Sequence, residues 1–361
     1  MRIHCAKNER IKRAYFEYLK EARRQNEVSI DAVAKALSRF EEYSKYRDFN
    51  SFHYQQAIAF KIHLAKQKAS TSDRPLSKST LNSTLRHLRQ FFFWLAGQPG
   101  YRSRLNYTDS EYFNLSEKDT RVANAKRPKA VPTLDQISRT LKLMPNDHEL
   151  EKRDRALIAF IALTGARDSA TASLSLKHID LEAGCVHQDA REVKTKFSKT
   201  FTTTFFPLGK EFELIVKEWV EYLVVEHLWG EDDPLFPATK IGQSTELQFE
   251  AQGLDRQHWK TAAPIRRIFK QAFKAAGLPY YNPHSFRDTL VKLGQQRCRT
   301  PEEYKAWSQN LGHEQVLTTF TSYGEVSADR QGDIIRSLAE EDDLDNQSTE
   351  ELLAVLARRM R

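Results

Sequence analysis

Cysteine is scarce: Cys5, Cys185 and Cys298 are the only three in 361 residues. They are far apart and odd in number, which excludes a disulfide framework and points to a reducing compartment. No C-x-x-C and no H-E-x-x-H pattern occurs, so the reading at this stage is that no metal is bound. A P-loop is missing as well, which removes the usual cradle for nucleotide phosphates. The longest apolar run, 156–166 (ALIAFIALTGA), is too short for a bilayer and carries Thr164 and Gly165. It reads as a buried core helix. The first residues (MRIHCAKNERIKRAYF) are basic but lack the apolar stretch of a signal peptide. No internal repeat and no low-complexity tract is present. A cytoplasmic, nucleoid-associated protein without a membrane partner is the expectation.

What is there is a soluble, globular mixture, 40% hydrophobic and 29% charged, long enough for two ordinary domains. The formal charge of +8 favours an anionic partner, of which nucleic acid is the commonest. The first third is helical by pattern. After Ser29 or Asp31 as a cap, Val33, Leu37, Phe40 and Tyr43 share one stripe. A second helix should follow Asn50 or Ser51, with Ala57, Phe60 and Leu64 inward. The clearest helix begins near Ser77 or Ser79, where Leu81, Leu85, Leu88, Phe92 and Leu95 recur at helical steps. Its opposite face carries Lys78, Arg86 and Arg89. These are either a solvated face or phosphate contacts, which position a protein on DNA without reading its sequence.

The polar, basic stretch 117–132, with Pro128 and Pro132, is the expected linker region. The division read from the sequence is a helical DNA-binding domain over 1–120, a linker over 121–132 and a catalytic domain over 133–335. An acidic linker and a C-terminal helix follow over 336–361. Thr133 and Gln136 make a capping-box pair at the start of the second domain. A helix runs through 155–163 into T-G-A-R. The stretch 185–208 is β-rich, its segments CVHQ, REVKT and TFTTTFF alternating or β-branched, with Phe197-Ser198 as the tip between the last two strands. From Pro264 the pattern is helical again, with Gly277 as a stop. Residues 230–263 look like a polar insertion with no readable role. Ser348 and Glu351 make a capping box for a short tail helix, too short to stand alone in water. It docks either on its own domain or on a neighbouring protomer.

Four segments carry chemistry when read in order: T-G-A-R-D-S-A-T at 164–171, V-K-T-K-F-S-K-T at 193–200, P-H-S-F-R-D-T at 283–289 and L-G-H-E-Q-V-L-T-T-F-T-S-Y-G at 311–324. Singly each has a bland reading. Arg167 could cap a helix C-terminus, His284 could hydrogen-bond locally at a helix start, His313 could merely open a helix, and Tyr323 is one of thirteen tyrosines. An H-x-x-[K/R] pair alone should arise roughly 1.7 times by chance in this composition. As an ordered set they resemble the catalytic segments of the tyrosine recombinase, or phage integrase, family, over about 130–330. The helical first third, with its QFFFWL run, is similar to that family's DNA-clamping domain.

The resemblance implies a mainly α fold with a small β-sheet or hairpin: a helical, SAM-like DNA-clamping domain and a mixed α+β catalytic domain. It implies Arg167 and Arg287 as phosphate clamps, His284 and His313 as the paired histidines and Tyr323 as the nucleophile. For the hairpin lysine, Lys194 fits best, with Lys196 and then Lys199 behind it. The residue types suit the chemistry. Guanidiniums are permanently charged forks that match phosphate oxygens. A tyrosine hydroxyl near pKa 10 needs cations and a base, here His284, to become nucleophilic. A lysine on a mobile hairpin can protonate the departing 5′-oxygen. A covalent 3′-phosphotyrosine conserves the bond energy, so neither metal, ATP nor any other cofactor is called for. Two departures stand out: Ala170 occupies a position where many members carry an acid, leaving Asp168 as a substitute, and ten positions separate His313 from Tyr323.

A site-specific recombinase serving a mobile element is the function so implied, with double-stranded DNA as substrate and a homotetramer on DNA as the working assembly. Accessory DNA-bending proteins are a further expected class of partner. With only about 28 residues before Ser29, a two-domain form without a separate arm-binding domain is expected. The alternatives are a DNA-binding architectural protein of the same fold that no longer cuts, and a type IB topoisomerase-like enzyme.

Overall fold

The computed structural model describes residues 4–68, 73–125, 130–243 and 247–313. The chain divides into two units, one ending at Lys126 and the other beginning at Arg127. In the first unit the helices are α1 (Ala6–Glu17), α2 (Glu27–Ser44), α3 (Tyr54–Lys66), α4 (Lys78–Ala96) and α5 (Glu117–Asn124). The expected stripe of α4 is its buried face: Leu81, Leu85, Leu88, Phe92 and Leu95 are all inside, and Ser77 caps by accepting from the Thr80 amide at 3.1 Å. The cap of α2 is Asn26, not Ser29 or Asp31, because the Asn26 side chain accepts from the Ser29 amide, which puts Ser29 in the first turn and Asp31 beyond it, both inside the helix. Residues Phe49–Ser51 form a 3-10 turn, so α3 starts two or three residues later than its polar signals suggested. Aromatic rings fill the core, Phe40, Phe49, Phe52, Phe60, Phe91, Phe92 and Phe113 meeting edge-on or stacked. Part of the expected linker is helical: Ser116 caps α5 by accepting from the Asp119 amide.

The second unit runs α6 (Leu134–Leu143), α7 (Glu149–Thr164), α8 (Asp168–Thr171), β1 (Ile179–Asp180), β2 (Cys185–Gln188), β3 (Phe201–Thr204), α9 (Lys210–Glu221), β4 (Pro237–Gln243), β5 (Phe249–His258), α10 (Ala263–Ala275), α11 (Pro283–Arg297) and α12 (Pro301–Asn310). The capping box of Thr133 and Gln136 opens α6. The apolar run seen in the sequence forms the inner half of α7, where every residue from Ala156 to Thr164 is buried. A helix apolar on all sides belongs at the centre of a core, and α6, α9, α10 and α11 surround it. Among the described residues no helix is long and apolar enough to cross a membrane.

Strands β1, β2 and β3 make an antiparallel sheet in that order, with Cys185 opposite Thr204 and His187 opposite Thr202. The REVKT segment, expected as a strand, is not one. Its amides are committed elsewhere: Val193 donates to the Asp189 carbonyl, Lys194 to the Ser173 hydroxyl at 2.9 Å. That leaves no ladder for a strand to join. Phe197 and Ser198, expected as the tip between two strands, instead lie in a short 3-10 turn of the β2–β3 connection, both with left-handed backbone, φ 62° and 51°. The polar insertion is a β4–β5 hairpin rooted at its base. Arg153, buried under Trp259, donates to the Pro237 carbonyl and the Thr239 hydroxyl, and Glu149 accepts from the Leu254 amide at 2.9 Å. Tyr323, the acidic stretch and the tail helix expected from Ser348 lie outside the described residues.

Candidate active site

The first candidate side chain is placed by a turn. Helix α7 ends at Gly165, whose φ of 58° suits glycine, and an added Cβ there would stand 3.0 Å from both Leu290 and Leu311. Two residues later Arg167 occupies the N-cap of α8. The end of α7, where a cation is favoured, and the start of the short α8, where it is disfavoured, thus act on its charge in opposite senses. Desolvation lowers the Arg167 pKa from its ordinary value. Asp168, the substitute acid for Ala170, does not support Arg167: it pairs with Arg266 at 2.7 Å. Ala170 itself is buried against the core.

Asn282 caps α11 by accepting from the Ser285 amide, and Pro283 sits in the first turn. This start leaves His284 exposed and turns Arg287, one helical step on, into the interior. The Arg287 guanidinium is held by backbone oxygens. Nη1 donates to the Gly165 carbonyl at 2.6 Å, and Nη2 donates to the Leu311 carbonyl. Burial first, and the neighbouring charge of Arg167 second, push its pKa down to about 9, so it stays a cation at neutral pH. Among the described residues no carboxylate comes within ion-pair distance of either guanidinium.

The third segment arrives from α12. Asn310 clamps it to β3, accepting from the Thr204 amide at 2.7 Å and donating to the Thr204 carbonyl at 2.8 Å. Gly312, with φ 68°, passes so close to Phe201 that a Cβ would lie 2.8 Å from the ring. His313 Nε2 then accepts from Arg287 Nη2 at 3.1 Å. An acceptor nitrogen there puts the ring proton on Nδ1, so the imidazole is neutral and presents one N–H. Burial, then the charges of Arg287, Arg167, His284 and Lys196, push its pKa down to about 4.

The structure therefore brings Arg167, His284, Arg287 and His313 into one electropositive cluster. Of the lysines, it is Lys196 whose charge bears on His313, whereas Lys194 bears on His258, at the end of β5. Both lysines are exposed on the β2–β3 connection. The first unit carries the other named cations: Lys78 pairs with Asp119 at 2.9 Å, Arg89 stands 4.0 Å from Glu111, and Arg86 is exposed. Two contributors went unread in the sequence. Asn310 adjoins L-G-H and could have been suspected there, whereas the carbonyls of Gly165 and Leu311 have no sequence signature.

Comparison with known proteins bears on the family and the fold. The model of the phage integrase family matches residues 132–330, more than half of the chain. Tyrosine recombinase XerD of Neisseria meningitidis serogroup B is 27% identical over 198 residues, 53% of this chain and 58% of the relative. Tyrosine recombinase XerC of Escherichia coli O127:H6 is 26% identical over 249 residues, 68% of this chain and 69% of the relative. The match thus spans little more than half the length of the XerD relative. Among solved structures, a lambda integrase (75–356) dimer bound to a COC′ core site superposes with a TM-score of 0.59 at 13% identity, over 89% of this chain and 99% of that one. XerH bound to its difH substrate superposes at 0.56 and 18% identity, over 92% and 84%. The fold is shared with these structures, and the chain belongs to the phage integrase family of tyrosine recombinases.

Proposed function

We propose that this protein is a site-specific DNA recombinase, acting for a mobile element, that cuts and rejoins DNA through a 3′-phosphotyrosine on Tyr323. The observation that supports the reading most is the cage around Arg287. A buried guanidinium with no carboxylate at ion-pair distance among the described residues, helped only by the more distant charge of Asp288 and standing beside a second half-buried guanidinium, is a costly arrangement without an anion. A bridging phosphate repays that cost. Arg167 and Arg287 then stabilise the charge that builds on the phosphorane-like transition state. In this reading His313 offers its Nδ1–H to a phosphate oxygen and His284, exposed on α11, takes the tyrosine proton. The tyrosine oxygen bonds to phosphorus as the bond to the 5′-oxygen breaks, and a lysine of the β2–β3 connection returns a proton to that oxygen. Spacing in the sequence favours Lys194 for this step, and the electrostatics of the pocket favour Lys196. Comparing Lys194→Ala with Lys196→Ala on a substrate whose leaving oxygen is replaced by sulfur separates them, since the true acid becomes dispensable there.

Double-stranded DNA is the substrate in this reading, and a tetramer on two duplexes is the working assembly. The first test uses nicked and intact duplexes cut from the DNA flanking the gene. A protein–DNA 3′ adduct is expected with the wild type and none with Tyr323→Phe. An adduct that persists in Tyr323→Phe moves the nucleophile elsewhere. Specific binding without any adduct favours the non-cutting alternative.

A further inference from the structure

On the β1–β2–β3 sheet, apart from the arginine pocket, three side chains of metal-ligating type converge. Cys185 and His187 are two apart on β2 and so point to the same face. Asp180 of β1 pairs with Cys185 across the ladder. Sγ of Cys185 lies 3.7 Å from Nε2 of His187, and the ligand atoms of all three residues lie within 4.8 Å of one another. A tetrahedral ion with Zn–S of about 2.3 Å and Zn–N of about 2.0 Å requires an S···N edge of roughly 3.6 Å. The thiol and the imidazole already stand at that separation.

The surroundings prepare the ligands. His187 Nδ1 lies 3.0 Å from Thr202 Oγ1, its cross-strand neighbour. With the Nδ1 proton donated to that hydroxyl, the Nε2 lone pair faces the thiol, the outer-sphere arrangement typical of metal-bound histidine. Asp180 Oδ1 accepts from the amides of Glu182 and Ala183, which fixes the carboxylate. A turn-capping aspartate and a cross-strand His–Thr pair each have ordinary structural uses. The thiol likewise lies at hydrogen-bond distance from the imidazole, and it is the convergence of all three ligand atoms on one point that a metal site adds.

We propose that Asp180, Cys185 and His187 bind one zinc ion, with solvent in the fourth position. Thiolate, imidazole and carboxylate together suit a borderline-soft ion and disfavour Mg²⁺ or Ca²⁺, which prefer oxygen. Binding releases the thiol proton to solvent as the metal–sulfur bond forms, so affinity rises with pH. The ion ties β1 to β2, the strand that leads into the connection bearing Lys194 and Lys196, and so braces the root of that connection.

Cobalt titration of the purified full-length protein tests this. One equivalent of Co²⁺ is expected to raise a thiolate-to-cobalt charge-transfer band that Zn²⁺ abolishes by displacement. Cys185→Ser removes the band with Cys5 and Cys298 still present. Should that variant fold poorly, His187→Gln reads the same site, because His187 is exposed and fills no core. Thr202→Val keeps the three ligands and weakens binding about ten- to a hundredfold. Zinc should also protect Cys185, and not Cys5, from alkylation. A cobalt complex without a thiolate band, a band that survives Cys185→Ser, or affinity unchanged in His187→Gln overturns the assignment.

Discussion

The two units of the chain are stabilised in opposite ways. The first is closed by phenyl rings, Phe40, Phe52, Phe92 and Phe113 packed on one another with hardly a charge among them. The second has an aliphatic helix at its centre and, at its edge, a buried cation that, among the described residues, two backbone oxygens and a neutral imidazole hold. Burying rings stabilises in proportion to area. Burying a guanidinium opposes folding unless an anion arrives. The first arrangement serves only stability, whereas the second gives up stability to hold a charge ready.

That contrast can be broken at several points. Phe92→Ala should cost the first unit about 3–5 kcal/mol, read as an earlier unfolding transition, while residual folded protein still forms the covalent adduct at its normal rate. Arg287→Lys should act the other way, slowing adduct formation about 10²–10³-fold with little change in unfolding, because lysine keeps the charge but not the fork. If Arg287→Lys instead unfolds the protein and spares the chemistry, the contrast fails. Asn310→Ala removes both contacts to Thr204 and should destabilise the second unit by about 1–3 kcal/mol, seen as lower hydrogen-exchange protection at β3.

Acid gives a smaller effect. His313 is pushed down to about 4 in the fold, against an ordinary value of 6.5. Its contribution to stability is therefore complete above about pH 6.5 and declines as pH falls toward 4, by an amount on the order of 1 kcal/mol once solvent screening is allowed for. His313→Gln should flatten that decline. A bound phosphate reverses the local field, so DNA should raise the His313 pKa, measurable by NMR titration. Smallest of all, Arg86→Ala or Arg89→Ala should weaken DNA binding evenly across sequences and reduce the salt slope by about 1 each.

What could be read without coordinates follows the same division. The stripe of α4 was legible because an amphipathic helix writes its packing into its own spacing, and Ser77 capped as its type suggests. The cap of α2 was misplaced since Asn26, Ser29 and Asp31 are all competent and only the hydrogen bond chooses. The REVKT segment reads as a strand locally, but the amide of Lys194 goes to Ser173, twenty-one positions away. The β4–β5 hairpin was unreadable because its roots, Arg153 and Glu149, lie far off in sequence. In the pocket the side-chain types and their order were visible. The seat of Arg287 was not, nor was the bearing of Lys196 rather than Lys194 on His313.

The carbonyl cage has a consequence for how substitutions in this chain will be interpreted. Gly165 looks like a turn glycine and Leu311 like a core leucine, fully buried. A mutational scan scored on folding alone would file both under architecture. Yet the oxygens of those two residues hold the guanidinium that faces the scissile phosphate in the proposed reaction. A backbone atom cannot be exchanged by mutating its own side chain, only displaced by bending the chain around it. Variants at 165 and 311 that still fold should therefore behave as partial defects in chemistry, graded by displacement, rather than as the clean losses expected at Arg287.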